Sequence, residues 1–276
     1  MRDFGEVERQ TDKVAALELD SNPNPNPSFE DLINECERFV RNRMKDIFDT
    51  YVANAFGDGG QDSGKLRQFE MNYRRILPSD FDADLLDIGI GRGEMLTCMR
   101  NWGYTRFRGI DISPSTIAFC SSIGLPCEQV ADTTSWLQEH VESFDCITLL
   151  DVLEHIPKEQ TIPLLRALKD SLRGNGVAIV QVPNMQAPDS QLHRYNCFTH
   201  EVGYIEHSLR QVLQVAGFST IAFGGFEDSV SHSVRGRARL VLRRLLWSLV
   251  RFLRRVNGNL NPAILHPVFY ALAVKQ

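Results

Sequence analysis

The chain has 276 residues, 43% of them apolar, and a formal net charge of -5; this is the length of one domain or two and the balance of a soluble globular protein. Six scattered cysteines (Cys36, Cys98, Cys120, Cys127, Cys146, Cys197), with no C-x-x-C among them, argue against a zinc site or a disulfide framework and for a reducing cytoplasm. The N-terminal stretch lacks the apolar core of a signal peptide, and no stretch approaches the ~18 uncharged apolar residues of a spanning helix.

Residues 1–27 read as a disordered tail, because Asn22-Pro23-Asn24-Pro25-Asn26-Pro27 can continue neither a helix nor a ladder. Ser28 then caps a helix whose apolar residues, Leu32, Ile33, Cys36, Phe39, Val40, Met44, Ile47 and Phe48, recur near helical period. After Gly57-Asp58-Gly59-Gly60 a second short helix carries Leu66, Phe69, Tyr73, Ile76 and Leu77 up to Pro78. Residues 28–78 form an N-terminal helical cap on this reading, and the domain proper runs over 79–276.

Leu85-Leu86-Asp87-Ile88-Gly89-Ile90-Gly91-Arg92-Gly93 is the stretch around which the rest is arranged. A short apolar strand ends in an acid, glycines follow at every second position, and Glu94 to Arg100 opens a helix. Strand, glycine turn and helix together cradle nucleotides. A dinucleotide fingerprint is G-x-G-x-x-G; here the third glycine arrives one position early. The Asp87 carboxylate would repel a phosphate and attract a cation. Phe107-Arg108-Gly109-Ile110 is a second strand ending in Asp111, where an acid takes ribose hydroxyls.

Acid, glycine turn and second acid together resemble the class I S-adenosylmethionine-dependent methyltransferases, over roughly residues 66–218. The resemblance implies a Rossmann-like, doubly wound α/β sheet, mostly parallel with an antiparallel last strand, in the order 3-2-1-4-5-7-6. It implies S-adenosyl-L-methionine as cofactor, with Asp87, Gly89, Gly91 and Gly93 around its methionine part and Asp111 on its ribose. Ile112, Thr133 and Leu150, at the neighbouring strand ends, join these contacts. Asp132, after the short strand Cys127 to Val130, either accepts the exocyclic N–H of the adenine or caps the next helix.

Ser113-Pro114 begins one helix as N-cap and first-turn proline, and Phe144 to Leu150 is a fourth strand. It runs into Asp151-Val152-Leu153-Glu154-His155, a segment that resembles one broad branch of the family. At the carboxyl edge of the sheet, His155 is placed to take a proton from a substrate hydroxyl or to pin its loop. Pro163 to Leu172 reads as helix, Gly174-Asn175-Gly176 as a turn, and Val177 to Val182 as a fifth strand. Met185 to Glu206 is then too long for a simple connection and too polar for core, and long loops usually carry function. Its His193, Arg194, Tyr195, His200 and Glu201 suit a sugar, and the run resembles methyltransferases of bacterial surface-polysaccharide and lipopolysaccharide gene clusters. A self-packed loop is the plainer alternative.

Ser208 to Ala216 is a helix, Phe218 to Phe223 a sixth strand and Pro267 to Val274 a seventh. Between them lies an insertion over 228–263 containing Val234 to Val256, which holds eight arginines and no acid. Projected at ~100° per residue, Arg243, Arg244, Arg251, Arg254 and Arg255 share one stripe. Leu242, Leu245, Leu246, Leu249, Val250, Phe252, Leu253 and Val256 fill the wider face. That pattern fits the surface of an anionic membrane; packing on its own sheet or against a second copy in a homodimer is the other reading. The acidic remainder of the chain argues against nucleic acid.

The expected protein is a cytoplasmic enzyme, peripheral on the inner face of the membrane. It O-methylates a sugar hydroxyl of a surface glycan or its lipid-linked precursor, with no metal. Methylation of a quinone or other lipid-like small molecule is one alternative. A non-catalytic cofactor-binding scaffold in glycan assembly is another.

Overall fold

In the sheet, Leu85 and Leu86 face opposite ways, as do Cys146 and Ile147, and Ile179 and Val180. Side chains alternate across a strand, so a strand buried on both faces reads as an unbroken apolar run. The computed structural model describes residues 60–228, 233–259 and 261–276. The expected tail, the helix from Ser28 and the cap residues before 60 lie outside them.

Seven strands are joined in one sheet of order β3-β2-β1-β4-β5-β7-β6, as the resemblance implied. They are β1 (Leu85–Ile88), β2 (Phe107–Asp111), β3 (Cys127–Gln129), β4 (Phe144–Leu150), β5 (Leu172–Pro183), β6 (Thr220–Gly225) and β7 (Val268–Val274). The first five pair in parallel; β7 runs antiparallel between β5 and β6. The helices are α1 (Ser63–Tyr73), α2 (Glu94–Trp102), α3 (Pro114–Ser122), α4 (Thr133–Glu139), α5 (Lys158–Ser171), α6 (Ser190–Tyr195), α7 (Glu206–Ala216) and α8 (Val234–Val256), with a 3-10 turn at Leu153–His155. One face of the sheet buries Leu86, Ile147, Val180 and Phe269 against Leu137, Leu164 and Leu213; the other buries Leu85, Cys146 and Ile179 against Tyr73, Met95 and Met99.

Local chemistry moves several boundaries. Helix α5 starts at Lys158, not Pro163, and carries Pro163 inside it; the proline reads as a start because it has no N–H to donate to an earlier turn. The expected turn Gly174-Asn175-Gly176 lies within β5. There the pairing jumps from Phe144↔Leu172 to Cys146↔Val177, three residues more on β5 than on β4, and Asn175 takes φ 65°, so the chain makes a short excursion within the strand. Helix α1 stops at Tyr73, short of Ile76 and Leu77. The long connection after β5 contains α6, which no hydrophobic period announced.

Helix α8 has the expected bounds and the reverse of the packed orientation. Arg243 bonds Glu227 at 3.1 Å and Asp228 at 3.4 Å. Arg251 donates to the Ala263 carbonyl at 3.1 Å and Arg254 to that of Gln186 at 2.6 Å. Trp247 packs edge-on against His266. Among the described residues of α8 only Gly236, which has no side chain, is buried, and the leucine, valine and phenylalanine face points to solvent. It is not core.

Candidate active site

The glycine turn is built as a cradle. Gly89, Gly91 and Gly93 all have positive φ, at 74°, 52° and 71°. A Cβ on Gly89 would lie 2.3 Å from the Val152 methyl, and one on Gly93 2.4 Å from Leu125. Conformation and space therefore both demand glycine at these two positions. The cap touches this turn, since Gln61 donates to the Arg92 carbonyl at 2.9 Å and to Thr97 at 2.7 Å.

Asp87 lies beneath the turn, buried, and accepts from the Thr148 hydroxyl at 2.6 Å. Burial pushes its carboxyl up to about 7, and the Thr148 bond and the Lys65 charge offset only part of that. Asp111 ends β2 and accepts the Ser113 N–H at 2.8 Å. Burial raises it too, against the backbone N–H groups of Ser113, Gly91, Ile90 and Ile112. Asp132 is the N-cap of α4. It accepts from Thr134 and Ser135 backbone N–H at 3.0 and 3.2 Å and from the Ser135 hydroxyl at 2.7 Å. Of the two roles open to it in the sequence, the cap is the one observed. Ile112 is exposed at the rim, Thr133 opens α4, and Leu150 is buried at the end of β4.

Beyond β4 and β5 opens a cavity of about 370 Å³ lined by Asp62, Lys65, Gln68, Phe69, Asp151, Gln181, His193, Phe226, Asp228, Pro267 and Val268. This lies within the ~300–1,000 Å³ range of small-molecule sites. Asp151 follows the last residue of β4 with φ 56°, a left-handed conformation that persists only when its surroundings enforce it. Its Oδ2 accepts from Gln181 at 2.8 Å. Gln181 in turn accepts the hydroxyl of Tyr73, which is fully buried. The other oxygen, Oδ1, is buried with no hydrogen-bond partner among the described residues. Sequence reasoning did not single out Asp151, Gln181 or Lys65. Asp151 was legible as the acid directly after the fourth strand, and Gln181 as the polar residue in an apolar run. Nothing marked Lys65.

Of the five loop residues, His193 alone lines this cavity. Arg194 braces the loop itself by donating to the carbonyls of His200 and Glu201. The Nδ1 of His200 bonds the His193 carbonyl at 2.8 Å. Tyr195 is 79% exposed. Glu201 is exposed, and its backbone N–H donates to the Glu154 carbonyl at 2.7 Å. His155 is not among the cavity-lining residues. Its Nδ1 bonds the Thr199 hydroxyl at 2.7 Å, its ring meets that of His200 edge-on at 4.7 Å, and burial with the neighbouring His200 pushes it down to about 4. It therefore ties the 3-10 turn to the loop. No metal was expected, yet the fold brings ligand atoms of His155, Cys197 and His200 within 4.8 Å of one another. Spacing in the sequence could not show that grouping. Thr199 sits among them, since the Cys197 sulfur is 3.0 Å from its hydroxyl.

The methyltransferase-domain family matches residues 38–222. Among solved structures, the chain is similar to a SAM-dependent methyltransferase from Archaeoglobus fulgidus, with a TM-score of 0.56 at 20% identity, covering 90% of this chain and 100% of that one. It is also similar to phosphoethanolamine N-methyltransferase 2 of Haemonchus contortus, in complex with phosphomonomethylethanolamine and S-adenosylhomocysteine. There the TM-score is 0.55 at 17% identity, covering 83% of this chain and 57% of that one. The ubiquinone biosynthesis O-methyltransferase of Pseudoalteromonas translucida is 32% identical over 87 residues, 30% of this chain and 36% of that enzyme. The chain thus spans about a third of the length of that curated relative. With a match over more than half of its length, the chain belongs to the methyltransferase-domain family, and its cofactor is S-adenosylmethionine.

Proposed function

We propose that the chain O-methylates a hydroxyl of a sugar, on a surface glycan or its lipid-linked precursor. The observation that carries this reading is the cavity beyond the end of β4, where Asp151, Gln181, Lys65 and His193 converge with Phe69 and Phe226. A sugar is recognised by that mixture, hydrogen-bonding groups around its rim and an aromatic surface for its flat face.

The residues present fit the cofactor. A turn of three glycines at positive φ presents backbone without side chains, with Asp87 below it for a cationic group and Asp111 at its edge for ribose hydroxyls. When bound, S-adenosylmethionine supplies an electrophilic methyl group. The chain's own part is to align the acceptor, exclude water and take the hydroxyl proton. Holding reactants in line is the larger contribution, up to ~7–11 kcal/mol, and proton removal by a placed base adds ~10²–10⁴-fold.

Asp151 is the group we assign to the proton, in place of His155. Its partnerless Oδ1 lies at a cavity-lining residue whose other oxygen is held by Gln181. His155 serves the same site by fixing the loop through Thr199. Asp151→Asn should lower turnover by ~10²–10⁴-fold with cofactor affinity by calorimetry nearly unchanged. His155→Ala should chiefly raise the apparent acceptor constant. If His155→Ala abolishes turnover while Asp151→Asn does not, the roles are reversed.

The likeness to the ubiquinone biosynthesis enzyme favours a second reading, methylation of a quinone-like phenol. Labelled methyl incorporation into envelope fractions separates the two. Label recovered in sugars after acid hydrolysis supports the first, and label in the organic extract as free lipid supports the second.

A further inference from the structure

Helix α8 is held to the domain by its polar side and shows its apolar side to water. Arg243, Arg251 and Arg254 reach the body of the protein. Opposite them, Leu242, Leu245, Leu249, Phe252 and Val256 are 65%, 62%, 52%, 59% and 66% exposed. At ~100° per residue these side chains fall in one arc. Arg237, Arg244 and Arg255 border that arc on one flank, and Arg235 and Arg239 on the other, where Arg239 also lies 3.9 Å from Asp228. Monomeric proteins rarely leave a contiguous apolar patch of more than a few hundred Å² uncovered. No described helix is long and apolar enough to cross a membrane.

Charge decides the occupant. Val234 to Val256 carries eight arginines and no acid. A second copy seated on this face would set arginine borders against arginine borders, with no carboxylate on either helix between them. An anionic bilayer offers an apolar layer to the centre of the arc and phosphates to its borders, the pattern of an in-plane interfacial helix. We propose that α8 docks the protein flat on an anionic lipid bilayer, with the leucine and phenylalanine arc turned into the membrane. The docking site adjoins the cavity. Asp228, which Arg243 holds, lines it, as does Pro267, next in sequence to the His266 that Trp247 covers.

The inference stands independently of which acceptor is methylated. Its test is cosedimentation of the full chain with vesicles of mixed phosphatidylglycerol and phosphatidylcholine, against vesicles of phosphatidylcholine alone. Wild type should sediment with the anionic vesicles at low salt and be largely released near 1 M salt, where charges are screened over ~3 Å. A Leu245→Ser/Leu249→Ser/Phe252→Ser variant and an Arg237→Gln/Arg244→Gln/Arg255→Gln variant should each partition on the order of a hundredfold less. All six positions are exposed, so both variants should keep the wild-type melting temperature and cofactor affinity. Arg243, Arg251 and Arg254 are left alone because they anchor the helix. The proposal is overturned if wild type ignores anionic vesicles at low salt, or if it binds both vesicle types equally. It is also overturned if the protein is a dimer in sedimentation equilibrium that the serine variant dissociates, since a second copy then covers the arc.

Discussion

Burial holds the Asp87 carboxyl at about 7, well above the usual carboxylate range. The unfolded chain loses this proton near ~4, so between there and about 7 the folded protein holds more protons than the unfolded one. Stability of the ligand-free protein therefore falls as pH rises through that window. Asp87→Asn should remove this part of the slope, read as the difference between the two melting curves from pH 5 to 7.5. A cationic ligand reverses the sign, because it favours the ionised carboxyl. Affinity for S-adenosylmethionine should rise by up to about tenfold per pH unit below the folded-state value, then level off. Calorimetry in buffers of different ionisation enthalpy should register a proton released on binding. A wild-type affinity flat from pH 5.5 to 7.5 would remove Asp87 from the cofactor site. Both acids beside the glycine turn, Asp87 and Asp111, were legible in the sequence because the turn fixes where neighbouring strand ends fall. Asp151 and Gln181 stood out only as an acid after the fourth strand and a polar residue in an apolar run, and their significance comes from a cavity that α1, β5 and β7 close from distant parts of the chain.

Elements position the loop more firmly than its polarity foretold. Asn184 is fully buried and donates to the carbonyls of Ile264 and His266 at 3.1 and 2.9 Å, while its Oδ1 accepts from Gln186 at 2.9 Å. At the far end the Met185 N–H bonds the Tyr204 carbonyl at 2.9 Å, and between them His155 holds Thr199. Thr199→Val keeps the shape and removes the hydroxyl, leaving the His155 ring the Thr199 carbonyl at 3.2 Å, at a cost of ~0.5–1.5 kcal/mol. Limited proteolysis should then cut the loop faster while the sheet stays protected. Because burial pushes His155 down to about 4, folding favours its neutral form. That contribution is lost as pH falls from the ordinary histidine range, ~6.5, toward about 4, so acid should loosen the same loop. The sequence displayed the candidates in this segment but not which of them face inward. Arg194 looked like a ligand for a sugar, and two backbone carbonyls of its own loop take it. Helix α8 has the same lesson. A helical wheel tells which residues share a face, but Glu227, Asp228 and two free carbonyls decided which face turned toward the protein.

At the scale of the molecule, a parallel sheet with helices on both faces was readable because strands and helices alternate from β1 to β5, while the strand order followed from the family resemblance. The insertion before β7 was readable as an interruption, and the pairing of the last two strands shows what it interrupts. Gly225 lies opposite Phe269, and Thr220 opposite Val274. The chain thus leaves the sheet and returns to it at adjacent points, where two or three residues could join the strands. Loop-closure entropy grows only by about 0.6 kcal/mol for each doubling of length, so a long excursion between such neighbours costs the sheet little more than a hairpin would. The excursion is in this sense separable. Excising residues 229–262 and joining the ends with a short glycine-containing turn keeps Phe226, Asp228, Pro267 and Val268, the cavity's wall on that side. The shortened protein should fold, melt cooperatively and bind S-adenosylmethionine as the parent does. The appendage could then be exchanged or removed without rewriting the chemistry that the sheet carries.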